Sequence, residues 1–196
     1  LRAGLRQETE RFFDYVARQD RSAVELLTAN YTFLNERVAE HYGITNVQGS
    51  HFRRVVLPAD VPRRGLLGQG SILTLTSQGI RTSPVARGKY VLERILGVPP
   101  PEPPPDVPAL PDRKEGQGPQ TMRERMAAHR SNPVCASCHS MIDPLGFGLE
   151  NFDPVGRWRD YDEVLTKVDS SGALPDGRKF ADGSELRKLL TQQPDQ

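Results

Sequence analysis

Residues 131–144 read Ser-Asn-Pro-Val-Cys-Ala-Ser-Cys-His-Ser-Met-Ile-Asp-Pro, and they contain both cysteines of this 196-residue chain. Cys135, Cys138 and His139 have the C-x-x-C-H spacing by which a c-type haem is attached covalently. On a helix, residues three apart project from one face, so the two thiols can each form a thioether with a haem vinyl group while His139 follows on a neighbouring direction to bind iron. Local signals predict such a helix. Ser131 or Asn132 can cap it, Pro133 suits its first position, and Asp143-Pro144 is expected to stop it after little more than two turns. With two Cys and four His in 196 residues, a shuffled chain would hold the pattern roughly once in a few thousand trials, so chance explains it poorly.

Three other readings of the cysteines stand beside this one. A zinc site needs four ligands, and the adjacent Cys138 and His139 rarely both reach one tetrahedral ion. A thiol redox centre wants a preceding strand in a βαβ setting, whereas Pro-rich chain and a polar helix precede Cys135. A plain disulfide, or a pair of inert thiols, leaves His139 without a role.

Composition bounds the remainder. With 36% hydrophobic residues, 17 Pro and a mean hydropathy of −0.56, the chain has material for a modest core only, in small units joined by irregular segments. Its 26 Lys plus Arg against 25 Asp plus Glu give a net charge of +1, which makes no electrostatic case for nucleic acid or an anionic membrane. No apolar run approaches the length of a transmembrane helix. The chain opens without Met inside an amphipathic pattern and reads as a piece of a longer protein, so the missing leader says nothing of compartment.

Upstream, Leu5, Phe12, Phe13 and Val16 recur at helical spacing and predict a helix to about Arg18. Val24, Leu26 and Leu27, then Tyr31, Phe33, Leu34, Val38 and Tyr42, predict two more short helices ended by Gly43. Residues 50–57 read as extended, and Ile72-Leu73-Thr74-Leu75-Thr76 suits a strand or a helix turn equally. Ser83-Pro84 opens a helix that Gly97 closes. The stretch Val98-Pro99-Pro100-Pro101-Glu102-Pro103-Pro104-Pro105 follows as polyproline II, a spacer or a rigid strap over the haem edge rather than a ligand for a proline-binding module. Thr121 to Glu124 form a capping box that predicts a helix from Met122 to about Arg130. Beyond the motif, Phe147, Leu149, Phe152 and Trp158 are apolar enough to pack against one haem face. Turns at Ser171-Gly172 and Pro175-Asp176-Gly177 separate short extended pieces, and Ser184 is expected to cap a helix through Leu190.

The run 81–89 (Arg81-Thr82-Ser83-Pro84-Val85 with Arg87-Gly88-Lys89), the proline strap, His129-Arg130, the motif and residues 143–153 together resemble the planctomycete-type multi-domain cytochrome c-like proteins. The resemblance covers nearly the whole chain and implies an exported, periplasmic-type haem protein built from a string of domains of unknown function. One departure lies at residues 162–167, where the family usually has a shorter, Gly-containing turn. The expectation is a mainly α protein: the end of a helical domain at 1–57, a small irregular helical cytochrome c-like haem domain with its Pro-rich strap at 58–160, and the start of a small C-terminal α+β domain at 161–196.

The sixth iron ligand is open on sequence grounds. No His follows His139, and Met141 is too near to reach the opposite haem face. His129 and then Met126 are the candidates, ahead of Met122 and the distant His51. Axial histidines place their Cα atoms about 12 to 13 Å apart, and a helix over 133–139 spanning about 9 Å plus four residues reaching about 13 Å allows His129. The plain alternative for His129 is a surface residue at a helix C-terminus. A filled sixth position predicts an electron-transfer module working with a redox partner protein or a flanking domain. An open one predicts a peroxidase-like enzyme or a sensor, and a third possibility is a structural module in which haem staples an interaction domain.

Overall fold

The spacing of Leu5, Phe12 and Val16 is realised in the computed structural model, which describes residues 1–102, 118 and 120–192, as helix α1 (Arg2–Arg18). Those three residues and Glu8 are its buried positions. Residues 103–105 of the polyproline stretch lie outside the described residues. After α1 come α2 (Glu25–Thr28), β1 (Tyr31–Leu34), α3 (Glu36–His41), β2 (Arg53–Val56), α4 (Gly70–Leu75) and the two-residue strands β3 (Ser77–Gln78) and β4 (Arg81–Thr82). Helices α5 (Pro84–Tyr90), α6 (Met122–His129) and α7 (Pro133–Phe147) follow, then β5 (Gly172–Ala173), β6 (Lys179–Phe180) and α8 (Gly183–Thr191). The protein is mainly α, and among the described residues its sheets are three separate antiparallel pairs.

The chain forms two compact units that are not contiguous in sequence. One comprises the described residues within 1–82, 152–158 and 187–196, the other those within 83–151 and 159–186.

In the first unit, Leu34, Val38 and Ala39 pack with Leu5, Ile44 and Leu57, and Phe12 and Val16 pack with Ala29 and Tyr31. Residues Tyr31–Leu34 are a strand, not the predicted helix, because Tyr31 pairs with Val56 and Leu34 with Arg53. That ladder decides the conformation of a short apolar run whose helical spacing was equally good. The segment of undecided type is helical, as α4, and Asn35 caps α3 by accepting from the Val38 N–H.

A polar network crosses this core. Glu8 is fully buried; Thr32 Oγ1 donates to it at 2.7 Å and the Tyr42 hydroxyl donates to its other oxygen. Tyr42 also accepts from the Gly70 N–H at 2.7 Å, with the Arg63 guanidinium stacked 3.5 Å above its ring. Burial pushes the Glu8 carboxyl up to about 7 against the pull of the Tyr42 and Thr32 hydrogen bonds and of Arg63. The folded state thus holds this proton more tightly than the unfolded one, so its contribution to stability is complete below the unfolded value and lost as pH rises through about 7. The loss should total on the order of 3 kcal/mol. Urea denaturation at pH 5, 6, 7 and 8 should show wild type losing stability relative to Glu8→Gln across this window, and parallel profiles would refute it.

In the second unit, Ser83 caps α5 by accepting from Ala86 N–H, with Pro84 in the first turn, as the sequence predicts. The helix continues as a π-helical turn, Val91–Ile95, and ends just before Gly97 at φ +67°. Helices α5 and α7 cross at two glycines. A Cβ on Gly88 would fall on the carbonyl oxygen of Ile142, and one on Gly146 would fall on that of Pro84. Beside the crossing, the fully buried Arg87 donates from Nη1 to the Leu149 carbonyl at 2.7 Å and to Glu150 Oε1 at 2.8 Å, and Arg159 reaches the second Glu150 oxygen at 3.2 Å.

Helix α7 does not stop at Asp143-Pro144: Pro144 lies inside it and the helix runs on to Phe147. The last turn holds because Leu145, Gly146 and Phe147 are buried and α5 packs against it, which outweighs the hydrogen bond that proline removes. The helix after 182 is capped by Asp182, whose Oδ1 accepts from the N–H groups of Ser184 and Glu185, so Ser184 is not the cap. At the departure from the resembling family, Asp162 Oδ1 accepts from the N–H groups of Val164 and Thr166, and Leu165 takes φ +60°, a left-handed position that glycine would occupy more cheaply.

Candidate haem site

Helix α6 begins with the predicted capping box: Glu124 N–H donates to Thr121 Oγ1, and the Glu124 side chain accepts from the Thr121 N–H at 2.8 Å. It ends at His129. Three residues later Asn132 Oδ1 accepts from the Val134 N–H at 3.0 Å and starts α7 with Pro133 in its first turn. This helix-turn-helix places His129 at the end of α6 against His139 in α7, their ring centroids 4.9 Å apart at an interplanar angle of 79°.

Both imidazoles open on a cleft of about 290 Å³. Cys135, Cys138, Val134 and Ile142 line it from α7, Val85 and Lys89 from α5, and Pro100 and Pro101 from the chain that follows. The cysteines are unpaired and half-buried. The start of the proline stretch therefore forms one wall of the cleft that carries the motif.

His139 is held from behind. Its Nδ1 lies 2.8 Å from Asp143 Oδ1, one helical turn further on, while Arg130 Nη1 donates to Asp143 Oδ2 at 2.9 Å. The Asp143 side chain has no exposure to solvent. Burial pushes its carboxyl above the usual range, against the His139 hydrogen bond and the charge of Arg130. The pairing commits Nδ1 and leaves Nε2 as the His139 nitrogen available to a metal.

These features fit a covalently held haem. Two thiols and an imidazole share one helix beside an apolar cleft, at the small end of the about 300 to 1,000 Å³ usual for cofactor-sized ligands. Imidazoles on opposite faces of one iron would hold their ring centres about 6 Å apart, from two metal–nitrogen bonds of about 2 Å and the ring radii. The 4.9 Å gap must therefore widen for both to bind. Among the described residues, no three His, Cys, Asp or Glu side chains converge to hold a bare metal ion.

The other candidates lie elsewhere. Met126 is buried but does not line the cleft, Met122 borders a separate cavity of about 230 Å³, and His51 is exposed in the first unit. Phe147 and Leu149, expected against a haem face, are buried without lining the cleft, and Trp158 stands 44% exposed against Phe152 in the first unit. Arg123, which reads as an ordinary surface charge, donates to the Asp169 and Ser171 carbonyls and lies 4.0 Å over the Phe147 ring. Asp143 and Arg130 enter the sequence reading only as part of a helix stop and of the family resemblance, with no chemical role at the site. The signal for Asp143 was its i, i+4 spacing from His139, which brings two side chains together on one helix face.

Residues 1–44 match the family model PSD4, a protein of unknown function (DUF1592), and residues 63–162 match PSCyt3, a protein of unknown function (DUF1588). The matches succeed one another along the chain, as in a multi-domain protein. No curated protein and no solved structure matches it. Since the second match spans half of the chain and takes in the whole of α5, α6 and α7, the chain belongs to the PSCyt3 family of unknown function (DUF1588).

Proposed function

We propose that this chain binds haem c through thioethers to Cys135 and Cys138, with His139 as one axial ligand and His129 as the other, and serves as an electron-transfer module. The observation that carries this reading is the pairing of the C-x-x-C-H helix with a second imidazole at one apolar cleft, with the first imidazole's Nδ1 already taken by a buried carboxylate. Haem would supply reversible one-electron chemistry. The protein's part is to anchor, to exclude water with Val85, Pro100, Pro101 and Ile142, and to fix the His139 ring through Asp143. A redox partner protein or flanking domain would exchange the electron. Covalent attachment of this type takes place outside the cytoplasm, so the reading includes an exported, periplasmic-type location.

The test is an absorption spectrum, oxidised and dithionite-reduced, of the chain co-expressed with a c-type haem maturation system, with covalent haem checked after denaturation. The expected result is covalent haem with a low-spin spectrum that becomes high-spin in His129→Ala. No covalent haem would refute the reading. Covalent haem that is high-spin in the unaltered chain and shifts with carbon monoxide would replace electron transfer with an open, catalytic or sensing iron.

A further inference from the structure

We propose that Asp143 sets the reduction potential of the haem, acting through His139 as a positioning residue; the assignment rests on the haem reading above. An ionised carboxylate can only accept hydrogen bonds, and each Asp143 oxygen faces a donor, His139 Nδ1 at 2.8 Å and Arg130 Nη1 at 2.9 Å. The proton of His139 is thereby placed on Nδ1, with the Nε2 lone pair left for iron.

A carboxylate behind a ligating histidine orients the ring and raises its basicity. A more basic axial ligand favours the more highly charged, oxidised iron, so the potential lies lower than it would with a neutral acceptor at this place. Burial strengthens the effect, because the Asp143 side chain has no exposure through which water could screen it. Arg130 tempers it by sharing the carboxylate's charge from the turn after α6. Since Asp143 stands four residues from His139 on the same helix, the geometry of the pair is set within α7 itself.

Potentiometric titration of the haem-loaded chain tests this. Asp143→Asn should retain covalent haem and shift the one-electron equilibrium at least tenfold towards the reduced form, which is about 59 mV. Asp143→Glu, which keeps the charge, should restore most of the wild-type value. An Asp143→Asn protein that holds haem at an unchanged potential would overturn the assignment while leaving the haem reading intact. Should Asp143→Asn fail to fold, nitrogen-15 NMR of His139 in the haem-free wild type decides the matter: a proton on Nδ1 supports the assignment, and one on Nε2 overturns it. A wild-type chain that takes up no haem refutes the haem reading, and this assignment with it.

Discussion

Gly146→Ala should cost the second unit about 3 kcal/mol or more, at the upper end of overpacking penalties. The added methyl group has nowhere to go, because its nearest neighbours would be the carbonyl group and Cα of Pro84, all backbone. A flexible side chain could swing aside; a helix backbone moves only by taking the whole of α5 with it. Gly88→Ala should behave alike, since its methyl group would meet the Ile142 carbonyl on the partner helix. For a unit of this size the loss corresponds to a fall in Tm of about 15 °C. Thermal melts followed by circular dichroism would show it, and an alanine variant within 1 kcal/mol of wild type would mean that the helices are not in backbone contact.

Arg87→Met should be comparably damaging, at about 3 to 5 kcal/mol, through charge rather than volume. Arg87 is fully buried and donates to both Glu150 and the Leu149 carbonyl, so its loss strips a donor from a buried carbonyl and a cation from a nearly buried carboxylate. Glu150→Leu should also destabilise, since it removes the carboxylate that the buried Arg87 guanidinium faces at 2.8 Å. Combining the two removes both partners of this ion pair, so the double variant should lose clearly less than the sum of the singles. Urea denaturation of the four proteins at pH 7 measures the coupling, and simple additivity would show that Arg87 and Glu150 do not depend on each other.

What was legible in the sequence follows the range of the interactions concerned. Helix starts depend on neighbours three or four residues away, and Ser83-Pro84, the Thr121 capping box and Asn132-Pro133 all open helices where the sequence places them. The strand at Tyr31–Leu34 depends on a partner some twenty residues further on, and nothing local told it from a third helical stripe. Pro144 misled for the same reason: its local rule is sound, but the packing that overrides it comes from a helix that begins sixty residues earlier. At the candidate site, the motif and His129 were read from residue type and spacing, and the structure places His129 and His139 at one cleft. The buried Asp143 beneath them was hidden behind its proline.

The glycine crossing also distinguishes the walls of the cleft mechanically. With backbone resting on backbone at Gly88 and Gly146, α5 and α7 cannot slide past one another, and the helix bearing Cys135, Cys138 and His139 is keyed in place like a bolt in its slot. Helix α6 is held by side chains instead: Arg123 lies over the Phe147 ring of α7, and Arg130, just past the end of α6, donates to Asp143. One wall of the cleft is thus set by backbone against backbone, and the wall that carries His129 by side chains, which substitution can loosen one at a time.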